Sequence, residues 1–397
     1  MPREYQPIDA SLGDEAYQER ILPHVSRTFA LTIPQLPAPL RTPVTNAYLL
    51  CRIADTIEDE PVLTPDETLV LLRRFVAVLN ALEPGAALAR ELAPRLIGPT
   101  LPAERDLALH LDRVVRITAG LRPAQRAAIQ RCLEVMCGGM HKFQCTASLR
   151  GLPLATDMDD YCYYVAGVVG EMLTDLFCDY SPEIARRRSA LDECAVSFAQ
   201  GLQMTNILKD VWEDHSRGAC WLPQEIFSRH GLELAELVPG RPDARFDAAM
   251  SELVGVAHAH LRNALSFTLV IPAHEPGIRR FCLWAIGLAV LTLQRIERTP
   301  GFASGAAVKV SHAAVAMTRL LTSAAVGNDW ALRRLFDFAA RGLPLASPAQ
   351  VRRGSRPTRR GPEPLVASPS DYVQRFGSDY GHDYGHGNRR SEGSSAH

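Results

Sequence analysis

The most informative segment of the sequence is residues 203–214, which carry a row of polar side chains. It reads Gln203-Met204-Thr205-Asn206-Ile207-Leu208-Lys209-Asp210-Val211-Trp212-Glu213-Asp214. Its amides and carboxylates at 203, 206, 210 and 214 are spaced by three, four and four residues, which places them on one face of an α-helix. The apolar residues between them supply the buried side. The spacing therefore predicts an apolar helix that turns a row of side-chain oxygens inward or into a cleft.

A second acidic row lies earlier in the chain, at Asp55-Thr56-Ile57-Glu58-Asp59. On a helix Asp55, Glu58 and Asp59 share a face, and the same stripe extends back to Arg52 and Tyr48. Either row alone is more often a solvated helix face, at roughly two to one, because short acidic patterns recur by chance. Two rows with amide or arginine neighbours on the same stripe together favour a metal–diphosphate site.

Two facing rows of oxygens suit magnesium. Mg²⁺ prefers hard oxygen ligands and commonly bridges protein carboxylates to substrate phosphates. Carboxylates alone repel a diphosphate, and the metal reverses that charge. Arg27, Arg52 and Lys209 add cations, arginine being suited to bidentate phosphate contact. The candidate metal ligands are Asp55, Glu58, Asp59, Asn206, Asp210 and Asp214.

Apolar residues recur at three-to-four spacing up to about residue 342, and alternating strand patterns are nearly absent. The pattern predicts one large all-α domain at residues 1–343, with the site between facing helices. The predicted helical stretches are Val44–Ile57, Asp66–Leu82, Gln125–Thr146, Met158–Tyr180, Ser189–Asp214, Phe246–Leu269, Ile278–Ile296 and Ala313–Arg341. Residues 344–397 are rich in Pro, Arg, Gly and Ser, which predicts a disordered tail.

Composition and charge exclude several classes of function. The 397 residues are 47% hydrophobic with a net charge of -1, so no charge bias indicates a nucleic-acid partner. Nine cysteines without a C-x-x-C pair favour a reduced, cytoplasmic protein. The longest apolar runs, 281–293 and 268–272, are too short to span a bilayer, so any membrane contact is expected to be peripheral. The tail arginines at 352–360 are candidates for it, although a plain soluble linker is preferred.

A third element is the glycine-containing helix that runs from Tyr161 to Glu171. Gly167 and Gly170 lie three residues apart within an apolar pattern, where glycine costs about 1 kcal/mol relative to alanine. Such a pair thins one face and admits a neighbouring helix or the tail of a ligand; taken alone, close helix packing is the simpler interpretation. Tyr164 lies one turn before Gly167, so its phenol is expected to face that opening.

In their order along the chain, these residues resemble the motifs of the squalene/phytoene synthase family. The matching segments are Ser26-Arg27-Thr28-Phe29, Tyr48 through Asp59, Tyr161 through Gly170, Gln203 through Asp214 and Trp221 through Ile226. The D-T-x-E-D form at 55–59 and the segment 281–293 look closer to squalene synthases than to phytoene synthases. The resemblance implies an isoprenoid-synthase helical fold with a central cavity.

The reaction that the resemblance implies joins two farnesyl diphosphates head to head, with Mg²⁺ and NADPH as cofactors. One farnesyl diphosphate loses its diphosphate, and the second attacks the resulting cation with loss of a proton to give presqualene diphosphate. This intermediate loses its own diphosphate and rearranges, and hydride from NADPH then quenches the cation to squalene. Tyr164 and Tyr48 become the candidate catalytic phenols. The implied substrate contacts are Ser26, Arg27, Phe29, Arg52, Gln203, Asn206, Lys209 and Arg217. Lys309 resembles the start of a basic flap associated with NADPH, and the other candidate cofactor contacts are Arg27, Arg52 and Lys209.

Three positions depart from the family pattern. Ala219 stands where an arginine is usual, with Arg217 two residues earlier, and Ser311 stands where the flap usually carries an arginine. Lys209 replaces a more common arginine. The lysine keeps the positive charge but lacks the planar guanidinium that contacts a phosphate through two nitrogens. These departures leave open a sister product made without hydride transfer: dehydrosqualene, phytoene or presqualene diphosphate. A non-catalytic helical binding or assembly protein is the alternative from another class, against which the survival of all the acids argues. We expect a monomer.

Overall fold

The computed structural model describes residues 5–9, 11–97, 100–241 and 243–346, and the predicted tail lies almost entirely outside them. Within these residues the chain is helical and forms no strand, apart from one isolated bridge between Leu152 and Pro223. The all-α prediction is therefore confirmed. The α-helices of the described residues are α1 Asp14–Val25, α2 Phe29–Thr32, α3 Ala38–Glu58, α4 Pro65–Leu79, α5 Gly85–Leu92, α6 Pro102–Leu109, α7 Leu111–Gly120, α8 Pro123–Gln144, α9 Ala155–Cys162, α10 Val168–Tyr180, α11 Pro182–Ala185, α12 Arg188–Lys209, α13 Val211–Ser216, α14 Gln224–Arg229, α15 Ala244–Val270, α16 Pro276–Glu297, α17 His312–Ala325 and α18 Asp329–Ala339.

The centre of the fold is α12, which packs against α15, α10 and α16. Its close approach to α10 depends on Gly170, because a Cβ there would lie 2.0 Å from the carbonyl oxygen of Ala195. Gly167 is less crowded, and a Cβ there would meet Val196 at 3.1 Å. The glycine pair therefore serves close helix packing, the simpler of the two sequence interpretations.

Two predicted helices are interrupted in the structure, and both interruptions border the site described below. The stretch predicted over 158–180 contains a π-helical turn at Tyr163–Gly167 between α9 and α10. The stretch predicted over 189–214 breaks at Asp210, whose backbone (φ -98°, ψ 16°) separates α12 from α13. Hydrophobic periodicity does not detect such breaks because the apolar side stays in register across them.

The apolar runs of the sequence predict no membrane-spanning helix, yet one described helix is long and apolar enough to cross a membrane, judged by length and composition alone. It is α16, whose apolar character extends beyond the run at 281–293. Within its most apolar window 61% of the residues are buried in the fold. Packing in the protein interior accounts for such a composition as well as a bilayer does.

Candidate active site

The two acidic rows meet at a cavity of about 590 Å³ between the end of α3 and the junction of α12 with α13. The cavity brings together ten of the residues singled out in the sequence. They are Arg52, Asp55, Glu58, Asp59, Gln203, Asn206, Lys209, Asp210, Asp214 and Arg217.

Arg217 shows that the two rows face each other. One guanidinium nitrogen lies 3.3 Å from Asp59 Oδ1 on the first row, and another donates to Asp214 Oδ1 on the second at 2.5 Å. Ala219, the first departure from the family pattern, also lines the cavity. Arg217 therefore supplies a cation at this wall, although its role toward a substrate stays a prediction.

The second row continues across the break at Asp210. The Asp210 amide still donates to the Asn206 carbonyl at 2.8 Å, and the Asp214 amide donates to the Asp210 carbonyl at 2.9 Å. The side chains at 206, 210 and 214 thus stay along one wall. Lys209 Nζ lies 2.9 Å from Asp210 Oδ2, so a lysine also accompanies this row.

The carboxylates of the site carry more negative charge than their neighbours neutralise. Burial raises the pKa of Asp55 to about 6, with Asp59 adding repulsion and Arg52 opposing, although 36% of the side chain still faces the open cavity. Burial, with Asp59 and Asp55, raises the pKa of Glu58 well above its usual range. Burial likewise raises the pKa of Asp214 to about 6 despite Arg217. A site that disfavours its own ionised form is suited to receive a cation.

The residues fit magnesium by their donor chemistry. All six candidate ligands offer carboxylate or amide oxygens, the ligands that Mg²⁺ prefers. Among the described residues, no three His, Cys, Asp or Glu side chains converge closely enough to enclose an ion by themselves. Mg²⁺ commonly takes only one or two carboxylates and completes its shell with water and substrate phosphate, so open rows suit it better than a closed cage.

The opening motif lies beside the cavity lining and supports Arg52. The Ser26 hydroxyl accepts a hydrogen bond from the Phe29 amide at 3.0 Å, and the Phe29 ring packs 4.8 Å from that of Tyr48. The Tyr48 hydroxyl donates to the Val25 carbonyl at 3.0 Å and accepts from Arg52 at 3.2 Å. Tyr48 therefore orients Arg52.

Arg27, also predicted from the opening motif, is exposed. It is not among the residues that line the cavity, so the structure does not bring it together with Arg52 and Lys209.

The tyrosine that lines the cavity is Tyr161, which the sequence reasoning did not select. Its ring stacks on Trp221 at 4.3 Å, and both residues belong to the lining. Tyr164 instead packs closely on α8, where a Cβ at Gly139 would lie 2.2 Å from it, and its buried hydroxyl has no hydrogen-bond partner among the described residues. The segment offers three tyrosines within four residues, and only the fold distinguishes them.

The segment that precedes the predicted flap is fastened to α13, the helix that carries the end of the second row. The Trp212 indole donates to the Phe302 carbonyl at 2.6 Å, and the Gly305 amide donates to Glu213 Oε1 at 2.8 Å. A Cβ at Gly305 would lie 2.7 Å from Asp210 Oδ1, so the segment touches the row itself.

Lys309, at the start of the predicted flap, is exposed and outside the lining, and Ser311 caps α17 by accepting from the Ala314 amide at 3.2 Å. The serine that replaces the usual flap arginine therefore has a local structural role.

Comparison with known proteins places these motifs in a family. The family model for squalene/phytoene synthase matches residues 22–314, which contain every lining residue of the cavity. The chain is 29% identical over 280 residues to squalene synthase clz20 of Cochliobolus lunatus, covering 69% of this chain and 64% of that protein. It is 30% identical over 279 residues to squalene synthase BSS of Botryococcus braunii, covering 68% of this chain and 56% of that protein. The chain thus spans about three fifths of the length of these relatives.

A solved structure of TcSQS with a bound ligand has the same fold. The two chains superpose with a TM-score of 0.64 at 23% sequence identity, over 83% of this chain and 98% of that chain. The expectation of an isoprenoid-synthase helical fold is therefore confirmed.

Proposed function

Because the chain belongs to the squalene/phytoene synthase family, we propose that it joins two farnesyl diphosphates head to head through presqualene diphosphate to squalene. Mg²⁺ and NADPH are the proposed cofactors. The relatives compared above carry the name squalene synthase, which supports this substrate and product. We further propose a monomer in the cytoplasm, whose membrane contact would be peripheral.

The observation that carries the proposal is the pair of acidic rows facing each other across one cavity, with Arg217 between them. Magnesium bound there would neutralise a departing diphosphate and so favour ionisation of an allylic carbon–oxygen bond. The residues that would hold it are Asp55, Glu58, Asp59, Asn206, Asp210 and Asp214.

The remaining side chains of the cavity have two roles: the cations bind and orient the diphosphate, and the apolar and aromatic residues surround the hydrocarbon part of the substrate. Arg52, Lys209 and Arg217 line the cavity and donate to phosphate oxygens. Tyr161, Trp221 and Val165 form an apolar and aromatic wall beside the acids. Such a wall limits water near the carbocation and stabilises positive charge through the aromatic faces.

Tyr161 was not among the candidate phenols Tyr164 and Tyr48, but it is the one of the three that lines the cavity, which favours it over Tyr164 for handling a proton or stabilising the cation. Replacing Tyr161 by Phe is expected to lower turnover by about 10²-fold, the range of one general acid or base. Replacing Tyr164 by Phe, the matched variant, is expected to have a smaller effect. The reverse order of effects would restore the interpretation reached from the sequence.

The reductive half-reaction has weaker support than the condensation. Lys309 is exposed and Ser311 caps a helix, so the predicted flap offers one cation where the family pattern has two. This observation keeps a second candidate function: release of dehydrosqualene, phytoene or presqualene diphosphate without hydride transfer.

The experiment that tests the function is incubation of purified full-length protein with farnesyl diphosphate and Mg²⁺, with and without NADPH, followed by extraction and mass analysis. Squalene that appears only with NADPH supports the full reaction. Presqualene diphosphate or dehydrosqualene in both conditions indicates the sister activity. Absence of turnover of farnesyl and geranylgeranyl diphosphate contradicts the enzyme and favours a binding protein.

A matched pair of variants ties any turnover to the site. Asp210→Asn removes a charge from the second row, whereas Glu193→Gln removes one from an exposed position near the start of the same helix, α12. Loss of turnover in the first variant alone is expected. Equal loss in both would show that the assay reports on folding.

A further inference from the structure

Helix α17 is turned outward, with its apolar side toward solvent. None of its 14 residues is buried. Exposed apolar residues recur on one face at three-to-four spacing, and we call them the α17 stripe: Ala313, Ala316, Met317, Leu320, Leu321 and Ala324. Leu320 is 64% exposed and Met317 is 52% exposed. A surface helix normally buries such a stripe, so this face is built to contact something outside the described fold.

Exposed aromatic residues also lie on α18, which packs against α17. Trp330 is 68% exposed and Phe338 is 69% exposed. Each is accompanied by an arginine, Arg334 over the Trp330 ring at 5.5 Å and Arg341 over the Phe338 ring at 5.6 Å. Tryptophan and arginine together are typical of surfaces that rest at the boundary between lipid headgroups and acyl chains.

The charge of this surface is positive. Helix α17 contains no acidic residue, and the two acids of α18 are engaged elsewhere: Asp329 accepts from Arg279 at 2.7 Å and Asp337 lies 3.8 Å from Arg262. Among the described residues, no salt bridge neutralises the exposed arginines of the two helices, Arg319, Arg333 and Arg334, or Arg341 just beyond α18. An anionic partner therefore matches this face.

We propose that the α17 stripe and the Trp330–Phe338 side of α18 dock on the surface of an anionic lipid bilayer. The apolar side chains enter the interface and the arginines contact the headgroups. The chain's own residues 347–397 are a poorer match because they carry eight arginines and five acidic residues, so their charge has the same sign.

Trp330 gives the proposal a direct readout. It is exposed, whereas Trp212 and Trp284 are buried and Trp221 is half-buried, so a change in the environment of exposed tryptophan reports on α18. Full-length protein is mixed with phosphatidylcholine vesicles that contain or lack phosphatidylglycerol, and flotation and tryptophan emission are measured. Flotation with the anionic vesicles, a blue shift of the emission, and reversal of both by salt are expected.

Variants separate this face from the rest of the surface. Arg333→Gln with Arg334→Gln is expected to weaken vesicle binding about fivefold for each arginine removed. Leu320→Ser tests the apolar stripe and is expected to weaken binding as well. Arg186→Gln and Leu109→Ser serve as controls without effect, because they remove an exposed arginine between α11 and α12 and an exposed leucine at the end of α6.

Three results would overturn the proposal. Anionic vesicles fail to bind the protein, or binding survives in both test variants. The third result is that Trp330 is already shielded from a soluble quencher when no vesicles are present and becomes accessible in Leu320→Ser, which means that protein covers this face. A shift in sedimentation with protein concentration then identifies a second copy as the occupant, and its absence identifies the chain's own tail.

Discussion

Two groups of carboxylates in this fold have opposite surroundings. In the cavity, Asp55 and Asp214 have pKa values raised to about 6, chiefly by burial. On α6, Asp106 is also buried, yet its pKa is lowered to about 2 because hydrogen bonds outweigh the effect of burial. Burial alone therefore does not distinguish a functional acid from a structural one; the number of donors aimed at it does.

Donors surround Asp106 from three parts of the chain. The Tyr5 hydroxyl donates at 2.6 Å, the Tyr17 hydroxyl at 3.0 Å and the Ile8 amide at 3.3 Å, while His110 Nδ1 lies 2.8 Å away. These bonds fasten residues 5–8 and α1 to α6. The cavity acids have Arg52, Lys209 and Arg217 for several carboxylates, which leaves capacity for a metal.

The largest contrast is expected from Asp55→Asn. Because the variant removes an acid proposed to hold magnesium, turnover of farnesyl diphosphate should fall on the order of 10²–10³-fold, as for loss of one preorganised electrostatic group. Its free energy of unfolding should stay within about 1 kcal/mol of the wild-type value, since the contact that this carboxylate makes within the described residues is a loose one with Arg52 at 3.8 Å. Turnover assays and urea unfolding measure the two quantities, and strong destabilisation would remove the distinction between the groups.

The reverse outcome is expected from Asp106→Asn. The asparagine side chain keeps the shape of the aspartate but loses its charge, and its NH2 group, itself a donor, faces the donors around position 106. The free energy of unfolding should therefore fall by about 2–4 kcal/mol. Turnover per folded molecule should persist. Asp192→Asn, at an exposed salt bridge with Arg188, is the control and should cost about 0–1 kcal/mol.

Ligand binding should affect the two groups differently. Mg²⁺ with inorganic diphosphate is expected to stabilise the wild-type protein by about 2.7 kcal/mol at a concentration 100 times its dissociation constant. Asp106→Asn should keep this increment, whereas Asp210→Asn should lose most of it. Thermal unfolding with and without the ligands measures the shift; an equal increment in all three proteins would place the ligand elsewhere.

The smallest effect is a pH window for the Asp106 cluster. Asp106 has a lowered pKa, so its contribution is present above about pH 4 and is lost as the pH falls toward 2. Its hydrogen bond with His110 raises the pKa of the imidazole above 6.5, so that contribution is present below pH 6.5 and is lost as the pH rises through the shifted value.

The two contributions coincide between about pH 4 and 6.5. Unfolding measured against pH in wild type and in His110→Gln should therefore differ most within that window and converge at higher pH. A difference that grows as the pH rises would contradict the assignment of a raised pKa.

Most of the fold could be predicted because its helices bury continuous apolar faces. The two acidic rows could also be predicted, since three-to-four spacing fixes which side chains share a face. Spacing does not say which faces meet, and Arg217 joining Asp59 to Asp214 is visible only in three dimensions.

The choice of tyrosine could not be predicted for a similar reason. In an ideal α-helix Tyr164 and Gly167 would lie on the same face. A π-helical turn occupies 163–167, however, and changes the angles between these side chains around the helix axis. Tyr161 and Val165 consequently line the cavity while Tyr164 packs on α8. Trp221, on which the Tyr161 ring stacks, could have indicated Tyr161. The two residues are 60 positions apart in the sequence, however, and their contact is visible only in the folded chain.

At position 305 the fold leaves room for the hydrogen atom of glycine but not for a side chain. Any larger residue there would place a carbon 2.7 Å from Asp210 Oδ1. A relative with a side chain at this position must therefore turn the Asp210 carboxylate aside, hold its second acidic row further back or hold the 301–309 segment further from it. The residue at this position in a relative's sequence therefore indicates how closely the 301–309 segment approaches the second acidic row in that protein.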